Sequence, residues 1–195
     1  MKKLHFYDTE VSDELAWPES DGAITPDSCA LEIFTDFNHH IPLVFEPSIA
    51  ATDAEQIMRK EHVKLKFVVD EDSHFLGIVS LEDLNSREII KKLSRGYKRQ
   101  ELSITDFMRP RSELKAFDYE ELSNSTIRDV VETLSGSGQR HCLVVDRRLH
   151  RICGIISASD IIRKLKLPLD IENRSGFSYV FEAVCLKHCI ARSPG

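Results

Sequence analysis

Residues 77–84 read GIVSLEDL, and residues 154–161 read GIISASDI. The phrase is written twice, 77 residues apart. Working outward, each copy follows a second repeated stretch: KFVVD (66–70) before the first and CLVVD (142–146) before the second. Helix-like runs precede those, DAEQIMRKEH (53–62) and TIRDVVETL (126–134), and extended segments precede the helices, PLVFEP and LKAFDYE. A short FTDF (34–37) and ITDF (104–107) open the two halves. Each half therefore opens with its lead-in and reads as β-α-β-β-α. A repeat of this kind is sought first, because it decides the architecture.

The strand-like runs are short and continuously apolar, which predicts burial on both faces. Ala54, Ile57 and Met58 share one face of the first helix. Ile127, Val130, Val131 and Leu134 share one face of the second. One such unit covers its own sheet poorly, and two packed sheet to sheet make one core. The expected fold class is α+β (α/β), two β-α-β-β-α units related by a pseudo-two-fold. The expected divisions are an acidic, flexible arm at 1–29, a first domain at 30–90, a basic linker at 91–100, a second domain at 101–167, and a tail with an amphipathic helix at 168–195.

The repeated phrase marks a strand running into a helix. Gly77 and Gly154 suit a place where a backbone or a ligand comes close. Ser80 with Asp83, and Ser157 with Asp160, have the spacing of a capping box. The same residues permit a sharper reading. A helix start offers free N–H groups to an anion, and a carboxylate beside it can hold a ribose diol.

These stretches resemble the cystathionine-β-synthase (CBS) domain, present as a tandem pair, the Bateman module. The resemblance rests on MRKEHVKLKFVVDEDSHFLGIVSLEDL, on TLSGSGQRHCLVVDRRLHRICGIISASDI and on the lead-in TDFM (105–108), and covers residues 30 to 167. It implies a regulatory module that binds an adenosine-containing ligand (AMP, ADP, ATP or S-adenosylmethionine) between the paired domains. By position it assigns ribose to Asp83 and Asp160, with Ser80 and Ser157 beside them. It assigns phosphate to Arg140 and His141 in the second half and to Lys64, followed by Leu65, in the first. It also implies a homodimer and an effector protein that reads the bound state.

The chain departs from that pattern where a basic residue often precedes the aspartate. Here Glu82 and Ser159 stand instead. Glu82 repels a nearby phosphate by about 1 to 4 kcal/mol at a surface-like dielectric. The site using Asp160, Ser157, Arg140 and His141 is therefore expected to outrank the one using Asp83 and Ser80. The competing reading is a structural or protein-interaction module whose clefts stay empty, the serine–aspartate pairs being caps alone.

Composition narrows the classes. The 195 residues carry a formal net charge of −6, and the first 36 hold nine acidic side chains against two lysines. No strong basic excess suggests nucleic acid. The densest basic stretch, REIIKKLSRGYKR (87–99), reads as an amphipathic helix with a charged face. No apolar run approaches membrane-spanning length, and acidic residues interrupt any export signal after Met1. With five cysteines, an odd number, a reducing cytoplasm fits best. Cys185 and Cys189 flank His188, but no second pair completes a metal set. Catalytic motifs are absent (no P-loop, G-x-S-x-G or H-E-x-x-H), so no enzyme and no catalytic cofactor are expected. Trp17 is the one bulky residue of an otherwise polar stretch. Phe177, Val180, Phe181, Val184 and His188 fall near one face of the tail helix.

Overall fold

The computed structural model describes residues 3–15, 23–94, 96, 102–168 and 176–191, without the side chains of 86–88 and 186–191. Trp17, most of the linker beyond Ser94, and the side chains of His188 and Cys189 lie outside the described residues.

The strands are β1 (Thr35–Asp36), β2 (Val44–Phe45), β3 (Leu65–Val69), β4 (Phe75–Ser80), β5 (Arg109–Pro110), β6 (Ala116–Asp118), β7 (His141–Asp146) and β8 (Arg151–Ser157). The helices are α1 (Ala51–Lys60), α2 (Ser86–Leu93), α3 (Tyr119–Ser123), α4 (Ile127–Ser135), α5 (Ala158–Lys164) and α6 (Phe177–Ala191). The first half follows the β-α-β-β-α order, and the second does so with the short helix α3 added before α4. The strands form two four-stranded sheets, β2-β3-β4-β5 and β1-β8-β7-β6.

Alternation along the strands puts apolar side chains on both faces of each sheet. Phe67, Ile78, Leu143 and Ile155 point inward and form the layer between the sheets. Val68 and Val79 point outward under α1 and α2, where Ala54, Met58 and Ile89 meet them. Cys142, Val144 and Ile156 do the same under α4, α5 and α6. The repeated valine-valine-aspartate stretches end in matching loops. Asp70 accepts from the N–H groups of Asp72 and His74, and Asp146 from those of Arg148 and Leu149. Each hairpin also slips register inside its valine pair, at Val68/Val69 and Val144/Val145.

The lead-ins are where the sequence reading is corrected. They are exchanged between halves. β1 pairs with β8, so residues 35 and 36 complete the second sheet. β5 pairs with β4, so residues 109 and 110 complete the first. The backbones lock symmetrically: Ala30 N–H bonds Ser125 and Ile127 N–H bonds Ser28, while Ala51 N–H bonds Leu102 and Ile104 N–H bonds Ile49. The exchange also revises the FTDF/ITDF echo. Thr35 and Asp36 match Arg109 and Pro110 by their strand partners, so the two T-D-F stretches are four residues out of register. FTDF carries the strand, whereas ITDF forms a 3-10 turn before it.

Gly77 and Gly154 are the points of exchange. A Cβ at Gly77 would lie 2.2 Å from the Arg109 carbonyl oxygen, and one at Gly154 would lie 2.5 Å from that of Thr35. The repeated glycine is therefore required by a crossing backbone.

The ends also dock earlier than the expected boundaries. Ile24 packs on the second core, Pro26 accepts the Arg128 N–H, and Asp27 pairs with the Arg128 guanidinium at 2.9 Å. Before that, residues 3–15 are exposed throughout. At the other end α6 lies on α4 and α5, with Phe177, Val180 and Val184 buried in the second core. The tail helix thus packs on its own module.

Candidate functional site

Both serine–aspartate pairs form, and each is a local capping arrangement. Ser80 Oγ donates to Asp83 Oδ2 at 2.6 Å, the Ser80 N–H donates to the same oxygen at 2.9 Å, and the Asp83 N–H donates to Ser80 Oγ at 3.2 Å. In the second half Ser157 Oγ donates to Asp160 Oδ2 at 2.8 Å and accepts from the Asp160 N–H at 3.1 Å. The helices that follow differ. Ser157 caps α5 directly, whereas residues 81–84 are turn, Asn85 is a bend and α2 starts only at Ser86. The first phrase therefore does not open a helix, contrary to expectation. Asp160 Oδ1 accepts from Arg163 at 2.7 Å, an i,i+3 partner that the spacing alone could have revealed. With the Arg163 side chain 76% exposed, this pair is worth little and yields readily to a competitor.

Two neighbouring cavities open between the halves. The larger, about 770 Å³, is bounded by Asp160, Ser157 and Lys64, by His141 and Ser159, and by an apolar wall of Leu65, Ile155, Ile162 and Leu167. The smaller, about 350 Å³, holds Ser80, Glu82, Asn85 and Arg140, with Arg59 at its edge. Lys64, His141 and Ser159 reach both. Asp83 is on the wall of neither.

Two of the sequence assignments are corrected here. Arg140 is not in the cavity of Asp160 and Ser157. It stands with Ser80 in the smaller one, paired with Glu82. The basic residue that joins Asp160 and Ser157 comes from the other half, Lys64. The physical reason is the packing of the sheets about a pseudo-two-fold. Lys64 and Arg140 are equivalent, since Lys64 O accepts from the Leu81 N–H and Arg140 O from the Ala158 N–H. Face-to-face packing then carries each into the neighbourhood of the opposite half's phrase. Lys64 makes no ion pair among the described residues. Arg59 is held by Glu55 through two hydrogen bonds, at 2.9 and 3.1 Å.

His141 is partly buried, and its Nδ1 is enclosed without a hydrogen-bond partner. Burial pushes its pKa down to about 4, Arg109 and Arg140 push the same way, and Asp83 and Asp160 oppose them. The ring is neutral at pH 7 and offers an unused polar atom. Because the folded state resists protonation, the unfolded chain binds the extra proton between pH 6.5 and about 4. Stability should therefore fall as pH drops through that window, by about 2 kcal/mol between pH 7 and 5. Denaturant titrations at the two pH values check this. His141→Gln should lose that part of the pH dependence, and an unchanged slope would contradict the burial of the ring.

Cys142 is equally closed to chemistry: burial raises its thiol to about 12. Among the described residues no cluster of His, Cys, Asp and Glu could hold a metal ion, and no helix is long and apolar enough to cross a membrane.

A paired-repeat module with cavities between its halves is a defined class. The CBS domain family model matches residues 35–89 and 122–167, together just over half of the chain. The protein belongs to the CBS domain family as a tandem pair, a class of generally regulatory, ligand-binding modules. Solved structures share the fold. An uncharacterized conserved protein from Pyrococcus horikoshii is 18% identical with a TM-score of 0.54, covering 75% of this chain and 98% of its own. A CBS-domain-containing protein from Agrobacterium tumefaciens is 21% identical at 0.50, covering 66% and 88%. A hemolysin-like protein containing a CBS domain from Oenococcus oeni is 17% identical at 0.50, covering 72% and 91%. No protein of curated function matches the sequence.

Proposed function

We propose that the protein is a regulatory module that binds an adenosine-containing ligand in the larger cavity. The single observation that carries this is the composition of that cavity. An apolar wall of Leu65, Ile155, Ile162 and Leu167 suits a purine ring. The Asp160 carboxylate, beside Ser157, suits a ribose diol, and the Lys64 ammonium suits phosphate. The volume of about 770 Å³ is within the range of small-molecule sites. The bound ligand would touch both halves, since Lys64 and Leu65 come from one and Ser157 to Leu167 from the other. It can thus bias their relative position, by no more than its differential affinity for the two arrangements. An effector protein, or a second copy of the chain in a homodimer, would read that change. No catalytic step and no catalytic cofactor belong to this reading.

A second reading has an observation in its favour. Each aspartate is already bonded to its own serine, which is what a cap requires. Asp160→Ala separates the two. As a cap alone, Asp160 is worth about 1 kcal/mol of stability, and its loss leaves binding unchanged. As a ribose ligand, its loss abolishes binding while the fold survives. The expected result of calorimetric titration with AMP, ADP, ATP, S-adenosylmethionine and NAD is saturable binding of one of them, lost in Asp160→Ala and kept in Asp83→Ala. Absence of binding to all five, with every variant folded, would favour the interaction module.

A further inference from the structure

The two cavities occupy equivalent places about the pseudo-two-fold yet differ in charge: Asp160, Arg163 and Lys166 line the larger alone, and Arg59, Arg140 and Glu82 the smaller alone. The strand registers set Ser80 against Leu65 and Ser157 against His141, so Ser80 corresponds to Ser157 and Lys64 to Arg140. Counting on, Glu82 corresponds to Ser159 and Asn85 to Ile162. At these positions the smaller cavity carries a carboxylate where the larger has a neutral serine and a polar side chain where it has an apolar one, and Asp83, the counterpart of Asp160, is not on its wall. Its volume is about half, 350 against 770 Å³.

We infer that Glu82 is a built-in anion that keeps a phosphate-bearing ligand out of the smaller cavity and so makes the chain a one-site binder. This rests on the proposed nucleotide reading and adds the determinant of its stoichiometry. The carboxylate comes from the first half and ion-pairs with Arg140 of the second. It thereby uses the guanidinium that corresponds to the free Lys64. Both members are about half exposed, 43% for Arg140 and 57% for Glu82. The pair therefore contributes little to folding, but a phosphate entering this cavity meets a like charge, with Arg140 already satisfied by it and only Lys64, shared with the larger cavity, left unpaired among the described residues. In the larger cavity Ser159 presents no charge and Lys64 is free. The remaining residues of the smaller cavity are those of an anion site: Arg59, Lys64, Arg140 and Ser80.

The test is the number of ATP molecules bound per full-length chain, by calorimetry, for wild type, Glu82→Gln, and Glu82→Gln with Arg140→Ala. Adenosine, without phosphate, serves as the comparison ligand. Wild type is expected to take one ATP and Glu82→Gln two. The second event should be about tenfold or more tighter than any residual binding there in wild type. It should vanish in the double variant, and the substitution should leave adenosine binding unchanged. Glu82 is a half-exposed turn residue, and a thermal melt establishes that its replacement folds. A silent wild type with one Arg140-dependent site in Glu82→Gln would uphold exclusion by Glu82 while overturning both the one-site count and occupancy of the larger cavity. An ATP count unaltered by Glu82→Gln, whether one or none, would overturn the inference and leave the nucleotide reading to stand or fall on the wild-type count. Two ATP molecules bound by wild type would overturn it as well.

Discussion

Gly77→Ala is expected to destabilise the protein by about 3 kcal/mol, at the upper end of what overpacking costs. The added methyl would sit 2.2 Å from the Arg109 carbonyl oxygen and 3.1 Å from the Pro110 Cα. All of this is backbone, so no rotamer relieves it. β5 must retreat, and its pairing with Gly77 and Ile78 is lost. Gly154→Ala meets the same obstacle in the second sheet, 2.5 Å from the Thr35 carbonyl oxygen, plus the Phe34 ring at 2.4 Å, which can turn aside. It should cost somewhat less. Gly136 is the control, since nothing lies within 4 Å of its added Cβ. Its change to alanine should be neutral or slightly stabilising through the unfolded chain. Denaturant midpoints of the three variants check the series. A loss below about 1 kcal/mol at Gly77 would mean that the exchanged strand does not lie where the fold places it.

Phe177→Ala should cost about 3 to 5 kcal/mol, the usual result of emptying a buried aromatic site. Phe177 is 1% exposed and belongs to the second core, together with Val180 and Val184 of the same helix. Those side chains cover α4 and α5, so α6 is part of the module and not an appendage. The cavity left behind cannot collapse easily, because the sheet lies on the far side of α4 and α5 and the hairpin holds its spacing. Thermal and chemical unfolding of Phe177→Ala measure the loss. A change of less than about 1 kcal/mol would detach α6 from the core.

These two substitutions also divide what is legible in the chain from what is not. Phe177 was readable: the apolar spacing of 177, 180, 181 and 184 repeats at helical period, and burial on a neighbour follows from it. The identity of that neighbour did not follow. Gly77 was half readable. Its recurrence at Gly154 signals a close approach, but the sequence could not say whether a ligand or a backbone approaches, and the answer is the exchanged lead-in of the other half. That lead-in forms strands of only two residues each, β1 and β5, too short for a period-2 pattern to register. The FTDF and ITDF stretches then offered a false register, because similarity of letters is not equivalence of strand partners.

The site divides in the same way. Ser80 with Asp83 and Ser157 with Asp160 were visible because their interaction is local, three residues along the chain, where spacing alone dictates who can bond. Arg140 and Lys64 were visible as the basic residues before each central strand, but their assignment to a cavity was not. The sequence by itself determined the two β-α-β-β-α units, the apolar faces and the serine–aspartate pairs, since each depends on neighbours within a few residues. Only the tertiary structure decided that the lead-ins cross over, that Lys64 joins Asp160, and that Glu82 takes Arg140. Those are contacts between segments far apart in the chain. They are set by how the two sheets pack about their pseudo-two-fold, and no periodicity along one segment encodes them.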